Sequence, residues 1–194
     1  DVWTVKVKKG IKFHNGRTLS ADDVIFTIRR VLDPAVKAIR SGSLAGVDLT
    51  KLKKIDANTV SITLKSANVT FDEVFSNYAM GIVPVGYNPA APVGTGPFKY
   101  KSFTPGVKSV YTKNAEYWRT GEPYVDSVEI ISIPDETARV NALVSGQVDA
   151  ITDLPNSQVS TVKANKKLAV LNAKTGAYVP IAMNTLKAPF DNVD

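Results

Sequence analysis

A chain of 194 residues, 44% hydrophobic and 22% charged, has an ordinary globular composition and enough length to bury a core. No apolar run reaches the ~20 residues that a membrane-crossing helix needs, and the absence of cysteine excludes disulfides, thiolate metal sites and thiol nucleophiles. The net charge is +6, and lysines concentrate at 6, 8, 9 and 12 and at 51, 53 and 54; no aromatics alternate with them to stack bases, so they are expected on solvated strand faces and no nucleic-acid partner is expected.

Val2 to Lys8 alternates apolar and charged residues, the pattern of a half-buried strand. Asp1 already stands in this stretch with no basic-then-apolar leader ahead of it, so the chain is expected to be a piece of a longer protein. Ile11 to His14 continues the alternation and Asn15-Gly16 turns the chain. Ser20, with Asp23 three residues on, is a variant of the capping box. Val24, Ile25, Ile28, Val31 and Leu32 follow at helical spacing, and Asp33-Pro34 ends that helix. Residues 35 to 50 read as a loop with a short helical turn. Leu52–Ile55 and Val60–Leu64 read as a hairpin around Asp56-Ala57-Asn58, and Phe71 to Tyr78 as a short helix. Residues 84 to 97 hold four prolines and three glycines, which places a domain boundary there.

Beyond that boundary, Phe98–Phe103 and Val107–Lys113 are expected strands around the turn Thr104-Pro105-Gly106. A loop carrying Tyr117-Trp118 leads to a strand over Val125 to Pro134. A helix is expected over Asp135 to Ser145, with Gly146 as its stop. Strands over Val148–Ile151, Leu168–Ala173 and Tyr178–Asn184, with a helix over Asn156–Asn165, complete a β-α-β-α-β order that suggests an open α/β sheet.

Catalytic chemistry has no visible carrier. His14 is the one histidine, too few for a triad or a metal cluster, and its place at a strand end suits a turn or surface role. Asp22 and Asp23 fit the first turn of a helix, where acidic groups favour the dipole. Asp149 and Asp153 lie four apart, but the strand pattern between them and Pro155 argue against one helical face. Gly94-Thr95-Gly96-Pro97 lacks the third glycine and following helix of a dinucleotide fingerprint, and also the Gly-Lys-Ser/Thr of a phosphate loop. No catalytic residue, metal or cofactor is expected.

Four stretches in order resemble the family 5 extracellular solute-binding proteins of ABC importers: "VWTVKVKKGIKFHNGRTLSADDVIFTIRRVLDP", "VGTGPFKYKSF", "KNAEYWRTGEPYVDSVEIISIPDETARVNALVSGQVDAI" and "GAYVPIAMNTLKAPFDNVD". The resemblance implies an α/β fold: a periplasmic-binding-protein-like lobe, with a mixed open sheet and flanking helices, plus a smaller α+β subdomain. Residues 1–92 would form the subdomain and 93–194 part of the main lobe, the second lobe and both chain ends of the parent protein being absent. Gly94 to Pro97 would be the crossing between them, with Pro97 fixing φ and the glycines permissive.

By the same resemblance the protein captures a peptide or similar small solute outside the membrane and delivers it to ABC permease subunits without catalysis. Nickel is less expected on a segment with one histidine. The location implied is periplasmic or extracellular, with the membrane reached only through a lipid anchor or the permease. Tyr178 and Asn184, at the cleft edge, are the candidate ligand contacts. Trp118 with Tyr117 is expected as a packing anchor, and Asp149 as a residue that orders its own turn. The alternative reading is a fragment of a secreted hydrolase whose catalytic residues lie in the missing part.

Overall fold

A computed structural model describes residues 1–173 of the chain. It forms two compact units, Asp1–Ser132 and Ile133–Asp194. The first unit begins with strand β1, Val2–Lys6, and helix α1, Ala21–Leu32. The hairpin of β2, Lys53–Asp56, and β3, Thr59–Thr63, follows. These strands form an antiparallel sheet of order β1-β3-β2. Val5 stands opposite Val60 in one pair, and Lys54 opposite Val60 in the other. The hairpin closes on an Asx turn, in which the Asn58 N–H donates to Asp56 Oδ1 at 2.7 Å.

Helix α1 forms where the capping signal and the apolar spacing agree. The Ser20 N–H donates to Asp23 Oδ2 at 2.9 Å, closing one arm of the box. Asp33 takes an extended conformation ahead of Pro34, which stops the helix. Ala21, Val24, Ile28 and Val31 line its buried face and pack with Leu44, Val47, Val60, Ile62, Phe71 and Met80 in the core. The helix expected over residues 71 to 78 is instead two short 3-10 turns, Phe71–Ser76 and Tyr78–Met80. Asn77 separates them, because its side chain accepts the Ala79 N–H and caps the second turn.

A second antiparallel sheet of the same unit is the meander β4 (Phe98–Thr104), β5 (Lys108–Lys113) and β6 (Ser127–Ile131). Gly106 at φ 71° makes the β4–β5 turn, and a register shift between Tyr100 and Ser102 marks a bulge in β4.

The second unit contains α2, Glu136–Val144, and α3, Val159–Ala164. Asp135 caps α2 by accepting the Ala138 N–H at 2.7 Å, and Gly146 at φ 76° follows its end. Two expected strands are corrected. Residues 148–151 and 168–173 are irregular and pair with no strand among the described residues. Short apolar runs look alike whether they enter a ladder or line a concavity. Here Ile151, Leu154, Leu168 and Leu171 line one concavity together. All strand pairs among the described residues are antiparallel. The strand expected over Tyr178–Asn184 lies outside the described residues.

Candidate functional site

The Pro- and Gly-rich stretch between the two sheets is held at its two ends by side chains of the first strand-turn-helix block and by Asn114. Asp23, fully buried, is the first anchor. Its Oδ1 accepts the Val85 N–H at 2.9 Å and the Arg17 guanidinium, while Oδ2 accepts the Ser20 N–H and hydroxyl. Burial pushes the Asp23 carboxyl up, but the hydrogen bonds from Val85, Arg17 and Ser20 together outweigh it and hold the pKa below the usual value. One helical turn on, Thr27 Oγ1 accepts the Val83 N–H at 3.0 Å and donates to the Val83 carbonyl at 3.3 Å. The face of α1 near its N-terminus thus holds residues 83 to 85 as a strand partner would.

The second anchor is His14, half-buried in a turn, one of the two roles expected of it, and bonded there to the glycine-proline segment. Its backbone N–H donates to the Gly94 carbonyl at 2.8 Å. The Gly94 N–H donates to Nδ1 at 3.3 Å, and Nε2 lies 3.0 Å from the Gly96 carbonyl. An acceptor at Nδ1 and a donor at Nε2 define one neutral tautomer with both nitrogens used. Neither nitrogen is left to act as a general base.

The third anchor is Asn114, buried at the start of the Tyr-Trp loop. Its Nδ2 donates to the same Gly96 carbonyl at 3.1 Å and its backbone N–H to the Pro97 carbonyl at 2.8 Å. Its Oδ1 accepts the Glu116 N–H at 3.2 Å, which turns the loop back. Neither Gly94 nor Gly96 has a positive φ, so the freedom expected of permissive glycines is not used for left-handed backbone. The segment is positioned by what its amides and carbonyls bond.

The loop beyond Asn114 returns to the N-terminal block. Lys12 Nζ pairs with Glu116 Oε1 at 2.6 Å, and Lys8 Nζ sits 4.6 Å from the Trp118 ring centroid. Arg119 lies 4.8 Å from that centroid, and the Tyr117 ring is tilted against it at 5.4 Å and 55°, so Trp118, itself 38% exposed, gathers two cations and a neighbouring ring. Lys54 pairs with Asp22 and Lys51 with Asp48, so several of the clustered lysines are neutralised locally.

No group of three or more His, Asp or Glu residues among those described could hold a metal. In the second unit a concavity of about 540 Å3 is lined by Leu143, Asp149, Leu154, Val162, Leu168 and Leu171, among others. Asp149 stands on its wall. Asp153, at φ 55°, offers its carbonyl to Arg139 Nη2 at 3.5 Å. The candidate ligand contacts Tyr178 and Asn184 lie outside the described residues. The sequence reading missed His14 and Asn114 as partners of Gly94 to Pro97. The one available signal was that each stands in a block carrying the resemblance.

Comparison with known proteins gives this arrangement relatives. The family described as bacterial extracellular solute-binding proteins, family 5 middle, matches residues 1–194. Heme-binding protein A of Haemophilus influenzae is 32% identical, over 98% of this chain and 40% of its own length. Oligopeptide-binding protein AppA of Bacillus subtilis is 31% identical, over 94% of this chain and 35% of its own length. The structure of that AppA with a nonapeptide superposes at a TM-score of 0.70, covering 82% of this chain and 34% of its own. The binding protein AgaA of A. tumefaciens R10, in complex with agropinic acid, superposes at 0.79 with 32% identity, covering 85% of this chain and 34% of its own. The chain thus spans about two fifths of the length of the relatives it matches, or less.

Proposed function

The chain belongs to the bacterial extracellular solute-binding proteins of family 5, and we propose that it is part of the substrate-binding component of an ABC importer. In this reading the full-length protein captures a peptide or similar small solute outside the membrane and hands it to permease subunits unchanged. The observation that carries the reading is the family match over residues 1–194. Peptide is the favoured class because AppA, a relative by both sequence and structure, is named for oligopeptides and was solved with a nonapeptide. Heme-binding protein A and the agropinic acid complex keep other small solutes in the test.

Within the proposal, residues 1–92 act as the smaller subdomain and 93–194 as part of the main lobe, with Gly94 to Pro97 as the crossing. The anchors on Gly94, Gly96 and Pro97 support a fixed path at that point. Two lobes of such a protein close on ligand by hinge motion, and Tyr178 and Asn184 are the proposed contacts at the cleft edge. The proposed location is periplasmic or extracellular, with a lipid anchor or the permease as the link to the membrane. The hydrolase alternative, whose catalytic residues would lie outside this chain, has no observation in its favour among the relatives.

The test is a thermal-shift and calorimetric screen of the full-length protein against di- to oligopeptides, heme, nickel chelates and small sugars. A ligand that binds only the folded state raises its melting temperature by mass action, by about 2.7 kcal/mol of stability at a hundredfold excess over Kd. Saturable binding of a peptide supports the proposal, and saturable binding of another class moves the substrate. Chemical turnover of a bound compound overturns it.

A further inference from the structure

We propose that Asn15 is a site of spontaneous covalent modification, and that its isoaspartate product releases His14 from the glycine-proline segment. Asn15-Gly16 is the one Asn-Gly pair in the chain. Both residues are exposed at the tip of a hairpin. The Phe13 N–H donates to the Arg17 carbonyl and the Gly16 N–H to the Phe13 carbonyl, each at 2.8 Å, while Lys12 bridges Thr18. Gly16 stands at φ 84°, the left-handed residue that follows the tight turn of a three-residue hairpin loop. The Arg17 N–H donates to Asn15 Oδ1 at 3.1 Å, which folds the carboxamide over the Gly16 peptide group.

Asparagine is among the thermolabile residues, and the residue after it sets the rate. The Gly16 nitrogen gives its proton to hydroxide and attacks Asn15 Cγ. An N–Cγ bond forms, the Cγ–Nδ2 bond breaks, and Nδ2 leaves as ammonia after taking a proton from water. Water then opens the cyclic imide that remains. Breaking the N–Cγ bond gives aspartate, and breaking the bond from that nitrogen to the main-chain carbonyl carbon gives isoaspartate. The sum is one water taken up and one ammonia released, with no redox partner or cofactor. A side chain on the following residue crowds the attacking nitrogen, and Gly16 has none. Asn68 supplies the comparison. It is exposed and its Oδ1 accepts the Thr70 N–H at 3.0 Å in the same kind of turn, but the β-branched Val69 follows it. The bond from the Gly16 N–H to Phe13 slows the first step relative to a free peptide, while exposure admits the hydroxide and water.

The two products act differently on the fold. Aspartate keeps the length of the main chain, and its carboxylate can still accept the Arg17 N–H. Isoaspartate carries the main chain through Cβ and Cγ, which makes it one atom longer between His14 and Gly16. The bond from Gly16 to Phe13 and the left-handed turn fit only the shorter path. Phe13 is buried with Ile11 and Leu19 and is held by that packing, so the displacement falls on His14 beside it. The bonds lost are those of His14 with Gly94 and Gly96. None of this depends on which solute the full-length protein binds.

Ageing the full-length protein at mildly alkaline pH and physiological temperature tests this. Peptide mapping by mass spectrometry reads conversion at each asparagine, and carboxyl methylation by an isoaspartyl methyltransferase counts the isoaspartate. Asn15 is expected to convert ahead of Asn68. An intact Asn15, or Asn68 converting as fast, overturns the proposal. The aged protein is expected to gain a lower-melting fraction that grows with the isoaspartate count, with faster hydrogen exchange at the Gly94 amide in that fraction. Freshly prepared Asn15→Asp should melt like the parent, and Asn15→Ser, which cannot form the imide, should age without the lower-melting fraction. Isoaspartate at Asn15 with unchanged melting and unchanged Gly94 exchange overturns the release of His14. A lower-melting fraction in aged Asn15→Ser, or a lowered melt of fresh Asn15→Asp, overturns it as well. The Gly94 exchange is measured on the unaltered sequence, so it decides even where a variant misfolds.

Discussion

His14 and Asn114 share one acceptor, the Gly96 carbonyl, which lies 3.0 Å from His14 Nε2 and 3.1 Å from Asn114 Nδ2. Both donors are side chains, from blocks on opposite sides of the glycine-proline segment. Both lone pairs of the carbonyl are used only when both blocks are in place, so the two contacts should be energetically coupled. His14→Ala and Asn114→Ala are each expected to cost about 1–3 kcal/mol, the range for leaving a partly buried polar group unpaired. The double variant should lose less than the sum, with a coupling of at least about 0.5 kcal/mol. Urea unfolding of the four proteins in the cycle reads both numbers, and strict additivity refutes the shared-acceptor account.

The glycines flanking that carbonyl should tolerate change better than its donors. A Cβ on Gly94 would meet His14 Cε1 at 3.7 Å, an ordinary contact, and one on Gly96 would meet nothing within 4 Å. Neither residue has the positive φ that penalises a side chain. Gly94→Ala and Gly96→Ala are expected to change stability by less than about 1 kcal/mol, with either sign, because alanine also restricts the unfolded chain. Gly106→Ala, at φ 71° in the β4–β5 turn, should cost more than either. A thermal melt of the three variants gives the order, and Gly96→Ala as the worst of them would refute it.

This contrast shows where sequence reading succeeded and where it stopped. Helix α1 was legible because its cap, apolar spacing and stop are all local: Ser20 with Asp23, Val24 to Val31, then Asp33 before Pro34. The hairpins at Asp56–Asn58 and Thr104–Gly106 were legible for the same reason. The role of His14 was not, because its partners lie some eighty positions along the chain and no periodicity encodes a backbone carbonyl as target. Gly94 and Gly96 use neither a positive φ nor a close approach, since a Cβ would make an ordinary contact at one and meet nothing within 4 Å at the other. Runs such as Val148–Ile151 failed because an apolar tetrapeptide does not say whether a neighbouring strand exists to receive it.

Asp23 should make stability depend on acid pH. Its folded-state pKa lies below the ordinary carboxylate value, because the hydrogen bonds from Val85, Arg17 and Ser20 exceed the cost of burial. A depressed folded value means that the ionised form is the stabilising one. The contribution is therefore complete above the unfolded-state value of about 3.9 and fades as pH falls through it toward the lower folded value. Asp23→Asn should reduce the fall in stability between about pH 5 and pH 3 without abolishing it. Asp48, Asp56 and Glu116 are also lowered, by hydrogen bonds from Thr50, Asn58 and Lys12 respectively, and remain in the variant. At neutral pH, Asp23→Ala should cost about 1–3 kcal/mol, since it leaves the Val85 N–H without its partner, while the part-exposed Arg17 can turn to water. Chemical denaturation across pH reads both effects, and parallel profiles for Asp23→Asn and the parent would refute the assignment.

The core under α1 gives a prediction independent of hydrogen bonding. Ile28 is fully buried against the first sheet, whereas Val69 is 87% exposed. Ile28→Val should cost about 0.5–1.5 kcal/mol and Ile28→Ala about 2–5, the larger change leaving a cavity that packed neighbours fill only in part. Val69→Ala should fall within about 0.5 kcal/mol of the parent. Denaturant midpoints at constant m-value test the series, and an Ile28→Ala variant as stable as the parent would place the core elsewhere.

The proposed ligand contacts are open to a test that separates binding from folding. Tyr178 offers a ring and a hydroxyl, and Asn184 an amide able to both donate and accept, the groups that hold a peptide backbone of varied sequence. If they line the cleft of the full-length protein, Tyr178→Phe and Asn184→Ala each remove a hydrogen bond to the solute. Each should weaken binding by roughly fivefold to tenfold, about 1–1.4 kcal/mol, with the melting temperature of the unliganded protein unchanged. A purely structural role would do the opposite, lowering the unliganded melting temperature and leaving the affinity of the folded fraction intact. Calorimetric titration of the ligand found in the screen, paired with melts in its absence, distinguishes the two. Unchanged affinity in both variants would remove Tyr178 and Asn184 from the site and leave the importer assignment resting on family membership.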